Sequence, residues 1–218
     1  MRATALSVPV GWALAALALS GCGEDAASSS APSGSSGSSA SAGAGGNGGA
    51  GGGGGADLGP CLPASEPFGT DPSAGESFGD VKLTSCDGQS HYLDEIRCQN
   101  AITLISIGAG WCGPCKEEAP VLEAASKTLA GQGIGIIQVL FEDGQSNPAT
   151  TLFCEAWTSE LALTIPVYVD PPANTLTFFD APAAPLNVVV DHDGKVLWAA
   201  SGLFPEDIVG LLQSLLPN

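Results

Sequence analysis

The chain is short of cations. Lysine and arginine total six against 23 aspartates and glutamates in 218 residues, for a formal charge of −17. Apart from Arg2 the cations are Lys82, Arg97, Lys116, Lys127 and Lys195, spread too widely to form a basic stripe. That argues against a nucleic-acid partner. Histidine is scarcer still. His91 belongs to an expected hairpin arm and His192 to an expected turn, and neither stands at metal spacing from a cysteine pair. A zinc site wants four ligands and copper delivery wants a nearby His, so no metal and no cofactor is expected. There is one close cysteine pair and no second. The apolar run from Val8 to Leu19 is too short to span a bilayer comfortably as a helix.

That short run has another use. Arg2 precedes it, and it ends Leu19-Ser20-Gly21-Cys22. A cation, a brief apolar segment and small residues have the layout of an export signal. The ending resembles the bacterial lipobox, which implies removal of residues 1–21 and lipidation of Cys22. Acyl chains there would anchor the protein to a membrane, each buried methylene contributing about 0.8 kcal/mol. The expected location is the bacterial cell envelope on the periplasmic side of a membrane, and Gly23 favours the outer one. Residues 22–56 follow, almost all Ser, Gly and Ala beyond Asp25. With no large apolar side chain to offset the entropy of ordering, this stretch reads as a flexible tether. Its root-mean-square span would be ~30 Å and its full reach ~100 Å. Residues 57–78, rich in Pro and Gly, read as an irregular strap.

Residues 79–218 are enough for one domain with a real core. Val81 to Cys86 alternates, Asp87-Gly88 turns, and Gln89 to Leu93 alternates back, a hairpin signal. The apolar run Ala101 to Ile107 reads as a buried central strand, and Lys116 to Ala130 as a helix with Pro120 inside it. Ile134 to Phe141 is a second buried strand. A helix is expected from Asn147-Pro148 to about Leu161. Strands follow at Ile165–Val169, Leu186–Val190 and Lys195–Ala200, the last two joined by the turn Asp191-His192-Asp193-Gly194. Pro205-Glu206-Asp207 opens a final helix. Strands alternating with helices and closed by a hairpin predict an α/β domain, a mixed sheet with helices on both faces.

Between the central strand and its helix lies Trp111-Cys112-Gly113-Pro114-Cys115. Two cysteines three apart at a helix start can hold a disulfide within the first turn. Helix-start amides favour thiolate over thiol, so Cys112, at the mouth, is expected to attack and Cys115, a turn deeper, to resolve. Gly113 and Pro114 keep the turn tight. A plain structural disulfide or half a zinc site are the other readings of this spacing; the second lacks its remaining ligands.

Trp111-Cys112-Gly113-Pro114-Cys115-Lys116 resembles the thioredoxin active site. The longer form through Glu118, Ala119 and Pro120 resembles the TlpA/ResA-like thiol–disulfide oxidoreductases, over roughly the last two thirds of the chain. The resemblance implies a thioredoxin fold, a central mixed β-sheet flanked by helices, with an N-terminal β-hairpin extension. It implies a cis bond between Ala184 and Pro185, packed against the cysteine pair. Trp111, Gly113, Pro114, Ala184 and Pro185 would then meet the substrate. It also implies protein disulfides as substrates, apocytochrome c among them, and a membrane thiol carrier as electron donor; a monomer is expected. Three features depart from the family. Ser106 stands where thioredoxin-like proteins bury an acid, and Tyr92 where relatives carry a Glu. Gly108-Ala109-Gly110 replaces an aromatic-rich approach, which predicts looser packing beside Trp111. Glu118 reads as a helix-surface acid. A peroxiredoxin-like peroxidase is the alternative enzyme, although Ala109 occupies its usual Thr position. A copper-handling or inert scaffold module is the non-enzymatic alternative.

Cys61, Cys86, Cys98 and Cys154 remain. Four cysteines in an exported chain suggest two disulfides with three pairings open, or else free buried thiols. Cys86–Cys98 closes the shortest loop, which would leave Cys61–Cys154 to pin the strap.

Overall fold

The computed structural model describes residues 58, 60–61, 79–178, 184–202 and 207–217. The leader 1–21, Cys22, the tether 22–56, nearly all of the strap 57–78, Ala183 and the Pro205-Glu206 opening lie outside the described residues.

The centre of the domain is β3 (Ile102–Ala109), all eight of whose residues are buried. Its near-continuous apolar run is what a strand covered on both faces requires. It pairs in parallel with β4 (Ile134–Glu142) and antiparallel with β6 (Leu186–Asp191). Outward from β6 lies β7 (Val196–Ser201). Outward from β4 lies the short β5 (Val167–Val169), and beyond it the hairpin of β1 (Lys82–Ser85) and β2 (Ser90–Tyr92). The hairpin turns at Gly88, whose φ of 85° suits glycine. Its inner strand pairs antiparallel with β5, giving one seven-stranded sheet ordered β2-β1-β5-β4-β3-β6-β7.

Helix α2 (Gly113–Thr128) links β3 to β4, and α3 (Thr151–Glu160) links β4 to β5. Two right-handed crossovers stepping the same way put both helices on one face of the sheet. The Lys116 ammonium accordingly lies 5.9 Å from the Trp157 ring centroid. The closing helix α5 (Ile208–Ser214) is capped by Asp207, which accepts the Gly210 N–H at 2.8 Å.

Several boundaries differ from the sequence reading, each for a local reason. Helix α3 begins after Thr150, whose hydroxyl accepts the Phe153 N–H, and not at Asn147. The Asn147 amide is instead engaged by Asp143 at 3.1 Å. The second hairpin arm ends at Tyr92, where Glu95 reaches back to the Tyr92 N–H and starts α1 (Leu93–Arg97). Strand β5 starts two residues late because the Thr164 and Ile165 N–H groups donate to Glu123 of α2. A short α4 (Asn174–Phe178) was not expected; the Asp170 carboxylate accepts the Thr175 N–H and hydroxyl near its start.

The cysteine pairing also differs. Cys61 is bonded to Cys98, and Cys86 to Cys154, so the pairs Cys86–Cys98 and Cys61–Cys154 are both wrong. The cause is sheet order. Strand β1 joins the sheet beside β5, over which α3 runs, and this brings Cys86 to Cys154. Both sulfurs sit 3.5–3.6 Å from the Val167 carbonyl oxygen. Cys98, at the end of α1, is left for the strap.

Peptide mapping without reduction is expected to recover Cys61–Cys98 and Cys86–Cys154 as the only linkages among these four. Removing the second, which spans 68 residues, should cost about 2–5 kcal/mol.

Glu123 supplies a pH test. Burial alone would raise its carboxyl. Hydrogen bonds from Thr164 (hydroxyl and backbone), Lys127 and the Ile165 backbone outweigh that and lower it from 4.5 to about 2. A carboxylate held down in the folded state stabilises it fully above the unfolded value and progressively less as pH falls towards the folded one. Urea unfolding should therefore show Glu123→Gln clearly less stable than the parent at neutral pH, with the gap closing between pH 4.5 and about 2.

Candidate active site

Helix α2 begins where β3 ends, and Cys112 is its N-cap. The Cys115 N–H donates to Cys112 Sγ at 3.1 Å, a placement that favours negative charge on that sulfur. The two cysteines are disulfide-bonded with Cα atoms 5.3 Å apart. Their immediate neighbours Trp111, Gly113, Pro114 and Lys116 are exposed. The sulfur-bearing residues are not: Cys112 is 2 % and Cys115 1 % exposed. Cys112, the sulfur expected to attack, is in this oxidised form tucked into the helix mouth.

What lets α2 sit so low is glycine. A Cβ on Gly108 would lie 2.9 Å from Cys115 Sγ and 3.1 Å from its Cβ. Just past the end of β3, a Cβ on Gly110 would meet the Gly144 nitrogen and Phe153 ring at 2.6 Å and the Asp143 carbonyl carbon at 2.7 Å. The expectation of loose packing at Gly108-Ala109-Gly110 is therefore overturned: small residues there admit closer neighbours than aromatics would. Trp111 stays 46 % exposed, yet it is fixed. Its indole N–H donates to Glu142 at 2.6 Å, and Phe141 meets it edge-on at 6.1 Å. The loop beyond is held by Asp143, whose carboxyl is kept below its usual range by hydrogen bonds from the Asn147 backbone and side chain and the Gln145 backbone.

The Ala184–Pro185 peptide is cis. Ile107 pairs with Leu186, so one step along the register puts Pro185 beside Gly108, the residue under Cys115. The Pro185 carbonyl accepts the Gly202 N–H at 2.8 Å. The fold thus gathers Trp111, Cys112, Cys115, Ala184 and Pro185 at one end of the sheet.

The strand order, the cis peptide and the bonded pair at a helix mouth together invite comparison with known proteins. Residues 74–199 match the family model described as the AhpC/TSA family. The chain belongs to that family. ResA from Geobacillus thermodenitrificans, a thiol-disulfide oxidoreductase, is 25 % identical over 146 residues, 66 % of this chain and 79 % of that one. A solved structure described as the thiol:disulfide interchange protein DsbE from Chlorobium tepidum superposes with a TM-score of 0.55 at 22 % identity, covering 66 % of this chain and 95 % of the other. The exposed lipoprotein thioredoxin of Streptococcus pneumoniae gives a TM-score of 0.52 at 22 % identity over 63 % of this chain and 98 % of its own. The domain has the thioredoxin fold, extended by the hairpin β1–β2.

Within this family member the departures take a definite form. Tyr92 is half exposed at the far edge of the sheet and brings no acid to the site. Ser106 is buried with its hydroxyl unpartnered among the described residues. Glu118, read as a surface acid, is 2 % exposed, and the Asn187 amide donates to its carboxylate at 3.1 Å. The signal was available: Glu118 follows Cys115 by three residues, so the two share one helix face. Asn187 was overlooked, though it is the one polar residue in Leu186-Asn187-Val188-Val189-Val190. Glu142 was also missed, because only the parallel pairing of β3 with β4 brings it to Trp111.

Gly110→Ala should be destabilised by about 1–3 kcal/mol, because two of the three contacts its methyl would meet are backbone. Denaturant midpoints beside those of Gly113→Ala, whose Cβ would meet nothing within 4 Å, would measure the difference.

Proposed function

We propose that this protein is a lipid-anchored, extracytoplasmic thiol–disulfide oxidoreductase that reduces protein disulfides. The observation that carries the reading is the bonded Cys112–Cys115 pair at the mouth of α2, beside the cis Ala184–Pro185 peptide. The name of the ResA relative supports the activity. The lipobox-like Leu19-Ser20-Gly21-Cys22 and the Ser/Gly/Ala tether support the anchor.

In the dithiol form, the Cys112 thiolate attacks one sulfur of the substrate disulfide, and the other substrate sulfur leaves as a thiolate. The mixed disulfide is opened by Cys115. Its thiol gives a proton to Glu118, the buried carboxyl on the same face of α2, and its sulfur attacks Cys112 Sγ. The second substrate thiolate departs and Cys112–Cys115 closes. Two electrons have moved from the protein to the substrate. A membrane thiol carrier would return them, and apocytochrome c is a fitting client. Trp111, Gly113 and Pro114 form the exposed rim that meets the substrate chain, and the backbone at Ala184–Pro185 pairs with it.

The purified protein should reduce insulin disulfides with dithiothreitol as donor. Cys112→Ser should lose that activity entirely, while Cys115→Ala should accumulate a covalent mixed disulfide visible on non-reducing gels. Hydrogen peroxide consumption without disulfide reduction would move the assignment to a peroxidase. Tight copper binding without turnover would move it to a metal-handling module.

A further inference from the structure

A row of buried polar side chains crosses the sheet beneath α2. Gln138 on β4, Ser106 on β3 and Asn187 on β6 are register partners, so they share one face, roughly 5 Å apart. None is more than 1 % exposed. Burying polar groups among Ile, Leu and Val is costly unless they are hydrogen-bonded. Gln138 Oε1 accepts the Trp157 indole N–H at 2.7 Å. Asn187 Nδ2 lies 3.1 and 3.3 Å from the two Glu118 carboxylate oxygens and 3.2 Å from the Gly202 carbonyl oxygen. Among the described residues, Gln138 Nε2, Ser106 Oγ and Asn187 Oδ1 have no partner.

The orientation of Asn187 follows from its neighbours. Glu118 and the Gly202 carbonyl both offer acceptors, so the nitrogen must face them and both its hydrogens are committed. Gly202 is itself tied to the Pro185 carbonyl, which links the amide to the cis-proline segment. The position matters as much. Cys115 rests over Gly108, and Ser106, the register partner of Asn187, lies two residues back on the same strand face. Glu118 follows Cys115 by three residues on α2, which puts their Cβ atoms ~5–6 Å apart on one helix face. A carboxylate at Glu118 therefore faces the sheet within relay distance of the resolving sulfur, provided something polar in β6 receives it. An apolar side chain at 187 would leave that carboxylate without this donor in an apolar layer.

We propose that Asn187 is a positioning residue for Glu118: it holds the carboxylate against the sheet beside Cys115, ready to take the resolving thiol's proton. This rests on the reading of Cys115 and Glu118 given above. Asn187 never touches the reacting atoms; it supplies the donor that an ionised acceptor needs. A hydrogen bond donated to a carboxylate favours its charged form, and a second carboxylate in the same place opposes it.

The test follows the resolving step alone. The protein, reduced at Cys112–Cys115 only, is mixed in stopped flow with 5,5′-dithiobis(2-nitrobenzoate). The first release of nitrothiobenzoate reports attack by Cys112, and the second reports Cys115 opening the mixed disulfide. Asn187→Asp should move the acid limb of the second phase upward by about one pH unit or more, leaving the first phase in place. Asn187→Leu should slow the second phase about tenfold or more near neutrality. In a Glu118→Gln background neither change should have further effect, since the amide acts through the carboxylate. If the leucine variant does not fold, the aspartate variant, equal in size, carries the test. Should Glu118→Gln slow the second phase while the Asn187 variants leave it unaltered, or slow it equally in both backgrounds, the positioning role is wrong and the acceptor reading stands. Should Glu118→Gln itself change nothing, the acceptor reading falls, and the inference with it.

Discussion

At the end of β3 a sulfur is packed directly onto the strand backbone. Cys115 occupies the space a side chain at Gly108 would need. Helix α2 can therefore drop its first turn onto the end of β3, and nearly every feature of the site depends on that depth. Cys112 becomes the N-cap, within reach of the Cys115 amide. Glu118, one turn on, is carried down into the layer between helix and sheet. Pro185, one register step from Leu186, ends up beside the same glycine. A side chain at 108 would lift the helix and separate all of these at once.

The second approach is at Gly110, just past the end of β3. There the Asp143–Gly144 backbone and the Phe153 ring close in on β3. This sets the loop after β4, and with it Glu142, which takes the Trp111 indole N–H. Trp111 is thus exposed without being free. Its ring presents an apolar surface to solvent while the edge and nitrogen are held, which suits a contact surface for an extended chain better than a swinging side chain would.

The departures from thioredoxin-like relatives share one physical logic. Ser106 takes the place of a buried acid, and a carboxyl enters the same layer from the helix instead of from the strand. A carboxylate there must be received by a donor, and β6 supplies one in Asn187. At the other end of β3 the domain is closed by a disulfide to the strap, Cys61–Cys98, with Arg97 buried beside it against Asp94 and the His192 carbonyl. The hairpin is held separately, through Cys86–Cys154.

Much of this was legible without coordinates. The pentapeptide between an apolar strand and a helix located the reactive pair, and the alternating runs around Asp87-Gly88 located the hairpin, because each is written in adjacent residues whose chemistry is local. The cis bond at Ala184-Pro185 was expected only through the family resemblance, since an X–Pro bond by itself favours trans. What the sequence left open depends on which strands lie side by side. The pairing of four cysteines was misread because loop length is a weaker constraint than sheet order, which puts β1 beside β5. Glu118 was misread as exposed although its spacing from Cys115 set its helix face; how deeply that face is buried was fixed only by the packing of α2 on the sheet. Asn187 and Glu142 carry no signature of their own and gain meaning only through β6 and β4 lying on either side of β3. Local chemistry was thus determined by the sequence itself, and partnership across the sheet was decided by tertiary structure, since hydrogen bonds between distant residues exist only after register and packing depth have been set.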